Sequence, residues 1–86
     1  MKPEYHKRFR KQFDKLPLKI QDKFEKCLKL FIDDQFHPLL NNHPLNGEYE
    51  GYRSINITGD IRAIFYIKPD SNCVFINIGS HSELYE

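Results

Sequence analysis

The sequence predicts a single α+β domain in which an N-terminal helical hairpin packs on a small antiparallel β-sheet. Three observations point there. Apolar residues recur with a helical period near 3.6 up to about residue 35, and from Tyr52 the period becomes two. Between these halves, residues 36–51 hold two Pro, two Gly and three Asn, the composition of a loop. The chain has 86 residues, enough for one core and no second domain, so residues 1–86 are read as one unit.

Residues 1–5 admit a short edge strand, although Pro3 removes a ladder donor. Residues 6–16 place Phe9, Phe13 and Leu16 at helical spacing, and Pro17 can close that helix or open the next. Residues 18–35 carry Ile20, Phe24, Cys27, Leu28, Phe31 and Ile32 as a second stripe, with Lys19, Lys23, Lys26 and Lys29 largely off it. Arg53–Thr58 then alternates, with Ile55 and Ile57 on one face. Gly59-Asp60 signals a turn, and Ile61–Ile67 follows as a strand. Pro69-Asp-Ser-Asn72 is a second turn, and Cys73–Ile78 is the third strand. Parity predicts that Ile55, Ile57, Ile61, Ala63, Phe65, Val74, Ile76 and Ile78 face the helices. Ser54, Asn56, Arg62, Ile64, Tyr66, Phe75 and Asn77 would then face away. His81 shares the parity of Asn77 unless a bulge at Gly59 or Gly79 breaks the phase.

The net charge of +1 conceals an asymmetry. Residues 1–31 hold ten Lys/Arg against four Asp/Glu, and residues 32–86 hold three against eight. A basic half can steer the chain toward a polyanion, or be simply a solvated helix face. Lys19, Lys23 and Lys26 are the candidate RNA contacts on that half. No apolar run approaches the roughly 18 residues of a membrane span, and no signal-peptide pattern opens the chain, so a cytoplasmic location is expected. Cys27 and Cys73 stand far apart among apolar residues and read as buried free thiols.

The chemistry-bearing groups gather in the β half, at the ends of apolar runs. They are His43, Arg53, Asn56, Asp60, Arg62, Asn77, His81 and Tyr85. RNA is cut without a metal when a base removes the 2′ proton, a cation stabilises the charged phosphate and an acid protonates the 5′-oxygen. Histidine suits the proton transfers near neutral pH. Arginine stays charged and grips phosphate oxygens bidentately, and tyrosine can stack on a base. His81, directly after the third strand, is the first candidate for acid/base work. His43 is held extended by Pro44. Arg62 interrupts an apolar strand, where a charge faces the open side. Arg53, Asn56 and Asn77 are candidate RNA contacts, Arg53 the least specific. Asp60 also has a natural turn role and Tyr85 an anchoring one, while His6 and His37 read as structural. His43, Asp60 and His81 lie at no metal-ligand spacing, and no metal or other cofactor is expected.

Four short stretches, His43–Gly47, Gly51–Ser54, Gly59–Arg62 and Ile78–Tyr85, give the chain its resemblance to the type II toxin–antitoxin toxins of the RelE/ParE superfamily. Among these it is most similar to the YafQ-like mRNA interferases. The resemblance spans nearly the whole chain. It implies a small toxin that cleaves mRNA at the ribosome and an antitoxin that wraps it, in a higher-order hetero-oligomer. It further implies catalytic roles for His43, Asp60 and His81, a phosphate-binding role for Arg62, and for Tyr85 the place of a C-terminal aromatic. Asn56 stands where the YafQ pattern has a further histidine, and Ile61 where it has Trp. Asn56 cannot serve as a general base, so one proton carrier of that group is absent here. Two other readings share the fold: a ParE-like toxin that binds DNA gyrase, and a catalytically weakened member that only binds its antitoxin or RNA.

Overall fold

In the computed structural model, which describes residues 1–85, five strands form one sheet. They are β1 (Pro3–Tyr5), β2 (His43–Pro44), β3 (Arg53–Asn56), β4 (Ile61–Ile67) and β5 (Cys73–Ser80), in the order β1-β5-β4-β3-β2. Helices α1 (Lys7–Asp14) and α2 (Leu18–Asp33) carry the chain from one edge strand to the other, and α3 (His81–Tyr85) follows β5. The strands β3 to β5 pair antiparallel as expected, and β2, inside the segment read as a loop, adds an antiparallel edge strand against β3. The edge strand β1 differs, since it runs parallel to β5.

His6 caps α1, its Nδ1 accepting from the Arg8 N–H at 3.0 Å, and His37 caps the 3-10 turn Pro38–Leu40 in the same way at 3.2 Å. Both are structural, as the sequence suggested. At the corner between α1 and α2, Gln21 Nε2 donates to the carbonyls of Phe13 and Leu16 at 3.0 and 3.1 Å. Those bonds tie the first turn of α2 to the chain leaving α1, where the Phe13 carbonyl also accepts from the Leu16 N–H at 3.0 Å.

The helical stripes bury Phe9, Phe24, Cys27, Leu28 and Phe31 against Ile55, Ile57, Ala63, Phe65, Phe75 and Ile78. Phe75 is the hub. Its ring lies 5.4–6.0 Å from those of Tyr5, Phe9, Phe24, Phe31 and Phe65, where each well-placed aromatic pair adds about 0.5–1.5 kcal/mol beyond burial. Burial raises the pKa of both Cys27 and Cys73, so the free thiols stay protonated and unreactive.

Three expectations are corrected. Phe75 faces the helices, whereas Val74 and Ile76 are only half-buried. The cause is a β-bulge: Ile64 pairs with Asn77 but Phe65 with Phe75, which leaves Ile76 as the extra residue. The phase breaks there and not at Gly59 or Gly79. Ile32, placed on the α2 stripe, is instead exposed. Finally, the face turned away from α1 and α2 is not open. Ser54 and Ile64 on it are fully buried, beneath the segment that runs from the 3-10 turn Gly47–Tyr49 to Tyr52 and beneath α3.

Candidate active site

At the far end of the sheet, the β3–β4 turn and the start of α3 meet. The His81 N–H donates to the Asp60 carbonyl at 3.1 Å, and register places Arg62 beside Asn56 on one side and Gly79 on the other. Four sequence candidates, Asn56, Asp60, Arg62 and His81, therefore share one end of the molecule. Thr58 builds the turn, its hydroxyl accepting from the N–H groups of Asp60 and Ile61 at 3.2 and 2.9 Å. Arg62 Nη1 donates to the carbonyls of Thr58 and Gly59, both at 3.0 Å. One guanidinium nitrogen thus fixes the side chain, and among the described residues no carboxylate pairs with it.

His81 is exposed and its ring lies 4.7 Å from that of Tyr85. A capping box sets the helix that presents both residues. The Ser80 N–H donates to Glu83 Oε1 at 2.9 Å, and the Glu83 N–H donates to Ser80 Oγ at 3.2 Å. These Ser80 donors hold the Glu83 carboxyl below its ordinary pKa. Leu84 then folds back over Gly79, where a β-carbon would stand 3.5 Å from its methyl carbon.

His43 reaches the same face from the opposite edge. It pairs with Ser54, Ser54 with Ile64 and Ile64 with Asn77, so the four form a cross-strand row. Asn41, in the left-handed region at φ 48°, turns its carbonyl toward His43 Nδ1 at 2.7 Å. A carbonyl can only accept, so Nδ1 carries the proton and the neutral ring presents a bare Nε2. Three inter-strand steps, about 14 Å at about 4.8 Å per step, separate His43 from Asn77 in this row, and His81 stands further along the chain, at the start of α3.

Two of the proposed RNA contacts are engaged elsewhere. Arg53 packs on the helix side, with its guanidinium 5.4 Å from the centre of the Phe36 ring and Nε donating to Asn42 Oδ1 at 2.7 Å. Asn77 is 4% exposed and belongs to a chain of amides. The Ile78 N–H donates to Gln12 Oε1 at 2.9 Å, which makes Gln12 Nε2 the donor to Asn77 Oδ1 at 3.2 Å. Asn77 Nδ2 in turn lies 3.5 Å from the Tyr49 hydroxyl. Asn56 differs from these two: its Oδ1 is buried without a partner. Lys19, Lys23 and Lys26 line clefts of about 310 and 300 Å³ that end at Thr58 and Gly59. The basic face of α2 thus runs up to the turn that holds Arg62.

Sequence reasoning missed the aromatic array on this face. Rings follow one another from Tyr66 to Tyr52 (5.6 Å), Tyr49 (6.2 Å), Tyr85 (6.0 Å) and His81 (4.7 Å). Tyr66 was legible by parity, but Tyr49 and Tyr52 lie in a loop whose path only the fold reveals. The capping box was legible too, as Ser80-x-x-Glu83. Among the described residues no three His, Cys, Asp or Glu side chains stand together as metal ligands would.

Residues 1–86 match the model of a family described as "Bacterial toxin of type II toxin-antitoxin system, YafQ". Among solved structures, YafQ from E. coli strain BL21(DE3) superposes with a TM-score of 0.82 at 22% identity, covering 98% of this chain and 97% of that one. The E. coli DinJ-YafQ toxin-antitoxin complex gives 0.79 at 23% identity, over 98% and 96% of the chains. The solution structure of the Helicobacter pylori protein HP0894 gives 0.68 at 30% identity, over 99% of both. No curated protein matches.

Proposed function

The chain belongs to the YafQ family of bacterial type II toxin–antitoxin toxins, and from that premise we propose that it is a ribosome-dependent endoribonuclease that cleaves mRNA without a metal. The observation that supports this most is the gathering of Asp60, Arg62 and His81 at one end of the sheet. There an arginine already fixed by turn carbonyls has, among the described residues, no carboxylate to neutralise it. In this reading, His43 Nε2 removes the 2′ proton. Arg62 stabilises the charge that builds on the phosphate oxygens, and His81 protonates the departing 5′-oxygen. Asp60 steadies the His81 end, Tyr85 stacks beside the imidazole, and Asn56, beside Arg62 in the register, contacts the RNA strand. Lys19, Lys23 and Lys26 extend the track toward ribosomal RNA.

The partner is a cognate antitoxin, as in the DinJ-YafQ complex, and the site of action is the cytoplasm. No described helix is long and apolar enough to cross a membrane. Induced expression in growing bacteria tests the activity. Translated transcripts should be cut while chromosomal DNA stays intact. Damaged DNA with intact transcripts would move the chain to the gyrase-binding branch.

A further inference from the structure

Beside the His81–Tyr85 pair lies a cleft of about 240 Å³ lined by Asn46, Glu48, Tyr49, Leu84 and Tyr85. We propose that it is a nucleobase subsite selective for guanine, holding the base of the nucleotide next to the bond that is cut. The proposal rests on the nuclease reading above and names what that reading leaves open, the base preference.

The walls suit a base. The Tyr49 and Tyr85 rings stand 6.0 Å apart at 85°, so a planar ring that stacks on one meets the other at the corner. Aromatic faces are the usual platform for unstacked bases. The volume falls below the roughly 300–1,000 Å³ of a drug-sized pocket, which suits one base and excludes two.

The polar groups set the preference. Gly47, at φ +65°, starts the 3-10 turn that leaves Asn46 and Glu48 exposed at the cleft. Glu48 has no ion-pair or hydrogen-bond partner for its carboxylate among the described residues. An ionised carboxylate only accepts, through two oxygens. On the Watson–Crick edge, guanine alone presents two adjacent donors, N1–H and the exocyclic amine. Adenine and cytosine set one donor beside an acceptor, and uracil sets one donor between two. The same negative charge repels phosphate, so the cleft receives a base edge while the backbone turns toward Arg62 and His81.

Titration of the 86-residue chain with the four nucleoside 3′-monophosphates, followed by amide resonances, tests the subsite without requiring cleavage. Guanosine 3′-monophosphate should bind about tenfold more tightly than the adenosine compound. The shifts should centre on residues 46–49 and 84–85. Glu48→Gln keeps the shape but sets a donor beside an acceptor, a pattern that every base edge can complement, so it should abolish the guanine preference. Equal affinities for the four compounds, a guanine preference that survives Glu48→Gln, or shifts centred elsewhere would each overturn the subsite. Mapping of cut sites is scored separately. Selective binding with no cleavage sinks the nuclease and keeps the subsite; cleavage with unselective binding does the reverse.

Discussion

His43 and His81 enter the same face by different local devices. A left-handed Asn41 points a carbonyl at one ring and so fixes its tautomer, whereas a capped helix start presents the other. Arg62 is held by two carbonyls that carry no net charge, so its position costs it none of its own. If that charge meets the phosphate, Arg62→Ala should remove at least about 2 kcal/mol of transition-state stabilisation, read as cleavage rate on one RNA substrate. A change below twofold would take Arg62 out of the mechanism. At this scale the sequence was informative about residue types and less so about their surroundings. His6 and His37, read as structural, are caps. The partners of Arg53 and Asn77 could not be recognised, because Phe36 and Gln12, which engage them, come from other elements.

The elements show the same division. Strands β3 to β5 and both long helices follow from apolar period and turn residues, which are local properties. The bulge at Ile76 is not local: nothing in Cys73–Ser80 marks it, and it is fixed by packing Phe75 among five rings. Strand β2 is two residues long, too short for any period to register. Helix α3 depends on its capping box, and Ser80→Ala should cost it about 1 kcal/mol. The Glu83 carboxyl titrates below its ordinary value in the folded chain. Its contribution is therefore complete above the ordinary glutamate value of about 4.3 and is lost as pH falls through the lowered folded value. Amide exchange at Leu84 and Tyr85 should accelerate across that acidic window, and Glu83→Ala should abolish the step. Exchange that ignores both the acid and the substitution would show that α3 is held by Leu84 alone.

Across the whole molecule, charge and surface are divided. The ten cations of residues 1–31 form no ion pair among the described residues, since Lys68 with Glu4 and Asp70 makes the only bridges. That leaves a basic helical side free to meet a polyanion. Its clefts end at the Thr58–Gly59 turn beneath the candidate site. Ribosome binding should therefore weaken steeply as salt rises, and affinity that is flat across that range would reject electrostatic docking. The division was legible from the sequence as a bare count. The route from α2 to Arg62 was not, because it depends on how the helical hairpin lies over the sheet.

The central claim is tested most directly by primer extension on a reporter mRNA in a translating extract, with the wild type beside His81→Ala. The account predicts cuts at codon-phased positions with the wild type and none with the variant, both proteins being folded by circular dichroism. Cuts that persist unchanged in the variant, or no cuts from the folded wild type, would contradict it.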